Sequence, residues 1–169
     1  MLSYNIRDLN HQAATVDGEL TADDPIWVEG DPRPAGAIHV TGRLSNAGAD
    51  RYYWHGRIAG DATSECRRCL ISVVVPVDET VNAIFVEAGD EVADDPDTYR
   101  LPPRATTVDL RSVVRELWLL GVPAFALCRE DCRGLCPTCG TDRNTGNCRC
   151  QPETDRRRDA LRQLRTATE

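Results

Sequence analysis

Cys128-Arg-Glu-Asp-Cys132-Arg-Gly-Leu-Cys136-Pro-Thr-Cys139-Gly-Thr-Asp-Arg-Asn-Thr-Gly-Asn-Cys148-Arg-Cys150 is the stretch whose reading decides the fold. It holds six of the eight cysteines in the chain. The other two, Cys66 and Cys69, form a separate Cys-x-x-Cys near the middle. The cysteines thus arrive as four pairs: Cys66/Cys69, Cys128/Cys132, Cys136/Cys139 and Cys148/Cys150. Clustered thiols of this kind bind metal in a reducing compartment and form disulfides in an oxidising one. The N-terminal Met-Leu-Ser-Tyr-Asn-Ile-Arg-Asp shows no apolar signal core or cleavage site. No apolar run approaches the roughly 18 residues that would span a bilayer. A cytoplasmic protein with no membrane contact is expected, and with it metal in preference to disulfides or redox-active thiols.

Zinc takes four ligands in a tetrahedron, with sulfur at about 2.3 Å. Six cysteines cannot share one ion, whereas eight divide into two zinc ions with four cysteines each. Cys136-Pro-Thr-Cys139 reads as a knuckle, with Gly140 free to take a positive φ just past the second sulfur. The Asn144-Thr-Gly-Asn turn returns the chain to Cys148 and Cys150, which gives a local ribbon-like site. Cys128 and Cys132, spaced as on one side of a helical turn, are then left to pair with Cys66 and Cys69. Such a site closes the chain across about sixty residues, as a crosslink would. Two other divisions stay open. Cys66/Cys69 can join Cys136/Cys139 instead, or two ions can share a thiolate inside the C-terminal segment.

The 169 residues fit one domain with a small appendage, and an apolar fraction of 41% can fill a core. Aromatics are only 5%, so that core should be mostly Val, Leu, Ile and Ala. All 20 basic residues are Arg, and the net charge of -7 argues against general coating of nucleic acid. Residues 128–169 carry a formal +2 while residues 1–127 carry a formal -9, so any phosphate contact belongs in the C-terminal part.

Upstream, residues 1–30 read as short strands, with Asp17-Gly18 as a turn between Val16 and Leu20. Ile26-Trp27-Val28 is a short apolar run. Residues 37–86 alternate apolar and polar side chains as an antiparallel meander does. Ile38, Val40 and Leu44 mark one strand, Tyr52, Trp54, Ile58 and Ala62 the next, and Ile71 to Val77 and Val81 to Val86 the third. Gly56 and Gly60 suggest a bulge or close approach by a neighbour, and Pro76 an edge or a place beside a bulge. Residues 87–107, acidic and Pro-rich, read as a flexible loop. Residues 109–120 read as an amphipathic helix capped by Asp109, with Leu110, Val113, Val114, Leu117 and Leu120 facing the sheet. A second, basic helix is expected over residues 153–165. The expected architecture is α+β: an antiparallel β meander or partly closed barrel packed by one amphipathic helix, a zinc-ribbon-like segment and a short basic helix. Residues 1–127 form the sheet domain, 128–152 the cysteine segment and 153–169 the tail.

Little points to catalysis. Four sulfurs per zinc leave no open position for water. His11, His39 and His55 show no ligand spacing, and phosphate-loop and nucleophile-elbow patterns are absent. A non-enzyme with no small-molecule substrate is expected.

Cys66-Arg-Arg-Cys69-Leu70, then Cys132-Arg-Gly-Leu-Cys136-Pro-Thr-Cys139-Gly140, then Asn144, Cys148 and Cys150 together resemble the YceD-like family of bacteria and plastids. These are the large ribosomal RNA subunit accumulation proteins. Where many relatives have Asn-Leu-Asn after the Cys-Gly, this chain has Asp142-Arg143-Asn144. The resemblance implies a role in producing or retaining large-subunit ribosomal RNA, with that RNA or a ribosomal protein as partner. RNA contacts would then fall on Arg133, Arg143 and Arg149 of the cysteine segment and on Arg156, Arg157 and Arg158 of the tail. The competing expectation is a zinc-ribbon adaptor, for example in transcription, that touches only protein.

Overall fold

The computed structural model describes residues 1–87, 89–93 and 95–151. The expected tail helix at 153–165, with Arg156, Arg157 and Arg158, lies outside the described residues. In chain order the elements are β1 (Ser3–Asn5), α1 (Ile6–Leu9), β2 (Ala14–Thr21), β3 (Ala37–Gly48), β4 (Arg51–Glu65), β5 (Ser72–Glu87), β6 (Thr98–Leu101), β7 (Thr107–Asp109) and α2 (Arg111–Gly121). The protein is a mostly-strand α+β fold. One sheet runs in the order β2-β3-β4-β5-β6, and β1 pairs with β7 in a separate ribbon. The meander is as the alternation predicts, and no described pairing joins β6 back to β2 to close a barrel.

The period-2 pattern places the core. Val40 pairs with Ile58, and Leu44 with Trp54, which in turn pairs with Ala83. All five are buried. Gly42 stands opposite Gly56, and a Cβ on Gly56 would lie 2.7 Å from Trp54 Nε1. The pair lets the Trp54 indole lie across the sheet backbone, which is the close approach its glycines signal. Although aromatics are scarce, Trp54, Trp118 and Tyr52 are the largest fully buried side chains.

Four expectations need correction. Asp17-Gly18 is not a turn but the middle of β2, paired with Thr41 and Val40. A Cβ on Gly18 would stand 2.9 Å from the tip of the Leu2 side chain, Cδ2, so Leu2 packs directly over this glycine. Ile26-Trp27-Val28 is not a strand; Trp27 is buried and its Nε1 donates to Thr21 O at 2.8 Å. The acidic stretch 87–107 contains β6, which pairs in parallel with β5 through Ile84↔Thr98 and Phe85↔Tyr99. Its Asp90 accepts both a 2.9 Å and a 2.8 Å bond from Arg51. Finally, α2 starts at Arg111 with Leu110 at the cap, and Asp109 instead ends β7 and accepts from the Arg111 N–H.

The face of α2 is also rotated from expectation. Val113, Val114 and Trp118 are buried, while Leu120 is 76% exposed. Trp118 fills the space that Gly60 leaves: a Cβ there would stand 3.2 Å from Trp118 Cζ3. Its Nε1 donates to Pro32 O at 2.7 Å. Burying a Trp and satisfying its N–H outweighs burying Leu120. Next to it, Arg115 makes a two-point pair with Asp31 at 2.7 and 3.0 Å. These bonds tie α2 to the loop between β2 and β3. The end of α2 is close to β5, since a Cβ on Gly121 would meet Val77 Cγ1 at 2.8 Å. The chain therefore leaves α2 beside β5 and enters the cysteine segment.

The Arg115 guanidinium, and then the Val28 N–H, hold the Asp31 carboxyl below its ordinary value. A depressed carboxylate contributes stability that is present above the unfolded value near 3.9 and is lost as pH falls through the folded value. Asp31→Asn should therefore lower the denaturant midpoint at pH 7, and the gap from the parent should shrink below about pH 4. A gap that stays constant down to pH 2.5 would contradict this role for the pair.

Candidate metal centres

Cys66 and Cys69 occupy the connection from β4 to β5, and Cys136 and Cys139 a turn in the C-terminal segment. The two turns have the same backbone. In the first, Leu70 N donates to Cys66 O and Cys66 N to Ile71 O, both at 2.8 Å. In the second, Gly140 N donates to Cys136 O and Cys136 N to Thr141 O, again both at 2.8 Å. The residue after the second sulfur has a positive φ in each, +62° at Leu70 and +72° at Gly140. Both are knuckles, although only the second has the glycine that announces one.

The fold brings Cys66, Cys69, Cys128 and Cys132 together, and separately Cys136, Cys139, Cys148 and Cys150; within each group the sulfurs lie within 4.8 Å of one another. Neither the swapped division nor a shared cluster is the arrangement found. Cys66 Sγ is 3.8 Å from Cys132 Sγ, and Cys69 Sγ is 3.7 Å from Cys128 Sγ. The edge of a sulfur tetrahedron around a metal at about 2.3 Å is about 3.8 Å. Cys128 and Cys132 do not sit on a helical turn as their spacing suggests. They bracket an irregular turn, in which Cys132 N donates to Arg129 O at 3.2 Å.

The first tetrad is the more enclosed, with Cys66, Cys69 and Cys132 buried; in the second, Cys139 and Cys150 are exposed. Burial opposes ionisation of Cys66, but the backbone N–H groups of Cys128, Arg68 and Cys69 outweigh it and hold the thiol at about 6. Cys136 is likewise held at about 6 by the N–H groups of Cys139 and Thr138. Burial, and then the neighbouring sulfurs of Cys132, Cys69 and Cys66, push Cys128 up to about 12. The Cys139 sulfur, and then burial, push Cys150 up to about 12. Four sulfurs this close cannot all be thiolates without a cation among them. A soft divalent ion removes the conflict, so the donor set of both tetrads fits a metal.

Three residues to which the sequence assigned no role at the first tetrad hold it. Arg68 donates to Glu130 O at 3.0 Å and to Cys132 O at 2.9 Å, and its own carbonyl accepts from Leu135 N at 2.9 Å. It laces the upstream knuckle to the downstream segment. Gly134 makes this possible: its φ is +68°, and a Cβ would stand 2.7 Å from Arg68 O. Asn144, from the loop of the second tetrad, donates through Nδ2 to Cys132 Sγ at 3.5 Å. The signal for all three was their place inside the cysteine motifs, but their roles depend on which segments meet. The histidines stay apart: His39 contacts Glu19, His55 contacts Asn82, and all three are exposed.

Arg133, Arg143 and Arg149 are exposed, and no described ion pair involves them. Arg133 and Arg143 line a hollow of about 440 Å³ beside the second tetrad, together with Gly146 and Asn147; Arg149 does not line it.

A strand-rich α+β fold with two four-cysteine clusters defines the class. Residues 54–165 match the family described as large ribosomal RNA subunit accumulation protein YceD, and the chain belongs to that family. It is also similar to an uncharacterized protein of Mycobacterium tuberculosis, 33% identical over 88 residues, covering 50% of this chain and 42% of that protein. A Mycobacterium leprae protein is 32% identical over 88 residues, covering 51% of this chain and 40% of that one. A maize protein named large ribosomal RNA subunit accumulation protein YCED homolog 1, chloroplastic, is 34% identical over 65 residues, 38% of this chain and 22% of that one. The chain thus spans less than half the length of these relatives. No solved structure matches.

Gly134→Ala should cost at least about 2 kcal/mol of stability, because a Cβ is both strained by φ and driven into the Arg68 carbonyl. Gly140→Ala, with nothing within 4 Å of its Cβ, pays only the strain. Thermal unfolding of the two variants checks the order, and an equal or inverted cost would contradict the interlock.

Proposed function

We propose that this protein is a non-catalytic zinc-binding factor for biogenesis of the large ribosomal subunit, working in the cytoplasm. In this reading it supports accumulation of large-subunit ribosomal RNA by binding that RNA or a ribosomal protein. The observation that carries it is the pair of four-sulfur clusters in a chain whose family is named for that RNA. Each zinc would be held by four cysteines: Cys66, Cys69, Cys128 and Cys132 for one, Cys136, Cys139, Cys148 and Cys150 for the other. Zinc is the ion of choice because an all-sulfur tetrahedron suits it and demands no redox chemistry. A closed shell leaves no position to activate water, so the metals are structural and the protein acts by contact. Residues 1–127 serve as the body, 128–152 as the metal segment and 153–169 as a basic tail.

RNA phosphate would be met first at Arg133 and Arg143, which share one hollow and are free of described ion pairs. Arg149 and the tail arginines Arg156, Arg157 and Arg158 would extend the track. No helix among the described residues is long and apolar enough to cross a membrane. A protein-only adaptor is the second reading. It is favoured by the exposed side chains of Leu70, Ile71 and Phe125, at 57%, 50% and 69%, in the segments flanking the first tetrad.

Large-subunit RNA fragments should bind with an affinity that falls as salt rises, and Arg133→Ala and Arg143→Ala should each reduce the salt slope by about 1. Metal content should stay unchanged in both. Affinity that is indifferent to these arginines, or absent for RNA, would contradict the RNA reading and leave protein contact.

A further inference from the structure

Among the described residues, Asn144 is the one residue between Cys136 and Cys150 whose side chain hydrogen-bonds a sulfur of the first tetrad. Its Nδ2 donates to Cys132 Sγ at 3.5 Å and to Asp142 Oδ1 at 2.6 Å. Its Oδ1 accepts from the Arg133 N–H at 2.8 Å and from Arg129 Nη2 at 2.9 Å. The amide therefore directs both its donor and its acceptor side at the turn that carries Cys132. Asn144 is itself placed by the loop between Cys139 and Cys148. Gly146 N donates to Asp142 O at 2.8 Å, Asn144 N to Asp142 Oδ1 at 2.9 Å, and Arg143 N to Gly134 O at 2.9 Å. Leu135 and Asp142 form the antiparallel bridge that sets the two segments side by side. The loop is anchored at both ends by sulfurs of the second tetrad. Holding those sulfurs restricts the conformations open to the loop beyond what its own hydrogen bonds do.

From this arrangement we infer that Asn144 is a positioning residue that couples the two tetrads: metal in Cys136/Cys139/Cys148/Cys150 tightens metal binding in Cys66/Cys69/Cys128/Cys132. The inference rests on the reading that both tetrads hold metal. The hydrogen bond to Cys132 Sγ offsets charge on a thiolate ligand, the role that partners of ligating groups play; losing one costs about 10- to 100-fold in affinity. Here the partner comes from the other site's loop. An unheld loop must be ordered before the bond forms, which weakens the first site. Coupling between binding free energies is reciprocal, so filling the first tetrad tightens the second by the same factor.

The full chain loaded with cadmium tests this, because cadmium-113 NMR reads each tetrad by its own resonance. Loss of one resonance in Cys66→Ser and of the other in Cys150→Ser assigns them. Chelator titration then gives the affinity of the first tetrad in four chains: the parent, Asn144→Ala, the pair Cys148→Ser/Cys150→Ser, and all three changes together. The expected result is about tenfold weakening from Asn144→Ala in the parent. Emptying the second tetrad should also weaken the first by about tenfold, and the two effects should not multiply when combined. Asn144→Asp, which keeps an acceptor for the Arg133 N–H but loses the amide donor, should weaken the first tetrad as well. Effects that multiply independently, or an unchanged first tetrad in Asn144→Ala, overturn the coupling while leaving the metal reading intact. The absence of both resonances overturns the metal reading itself.

Discussion

The meeting of Cys66 and Cys69 with Cys128 and Cys132 is the constraint on which the rest depends. The sulfurs that touch are 66 and 59 residues apart in sequence. Between them run β5, β6, β7 and α2. A link here closes a long loop, and the entropy removed from the unfolded chain grows with the length closed. It is also a link that bare thiols do not make well. Backbone N–H groups outweigh burial to favour thiolate at Cys66, while burial and then crowding by sulfur oppose it at Cys128. A cation turns that conflict into cohesion. In the proposed account the metal thus does for this protein what a disulfide does for a secreted one.

The two centres divide the work. The first is buried and joins the sheet to the C-terminal segment, with Arg68 and Gly134 locking the seam. The second is open to solvent and presents Arg133 and Arg143 beside a polar hollow. A surface carrying guanidinium groups free of ion pairs among the described residues is suited to phosphate, and the fold holds that surface in place. Trp118, seated over Gly60 and bonded to Pro32, fixes α2 on the sheet. The few residues from Gly121 to Cys128 then deliver the cysteines to the knuckle.

What the sequence disclosed, and what it hid, follows from the range of each interaction. Cysteine pairs are legible because a metal counts ligands: eight sulfurs and a tetrahedral ion leave few divisions, and the grouping found is the one that spacing favours. The meander is legible because strand periodicity is local. Leu70 as a knuckle residue was not, since a leucine at φ +62° is imposed by the turn and not announced by its type. Nor was β6, whose four residues sit in an acidic stretch and gain strand form only by pairing with β5. Asp109 carries the mark of a cap, yet β7 claims it through its pairing with Ser3. The burial of Trp118 over Leu120 depends on a glycine in a distant strand. Arg68 and Asn144 stood in plain view within the motifs, but their partners lie 62 to 64 and 11 to 15 residues away.

The most direct test of the central claim is metal content per chain in the purified protein and in its Cys66→Ser/Cys69→Ser variant, read by elemental analysis together with the metal–sulfur shell by X-ray absorption. The account predicts two zinc ions in the parent, each with four sulfurs at about 2.3 Å, and one such ion in the variant. A parent without zinc, or a variant that still holds two, would contradict it.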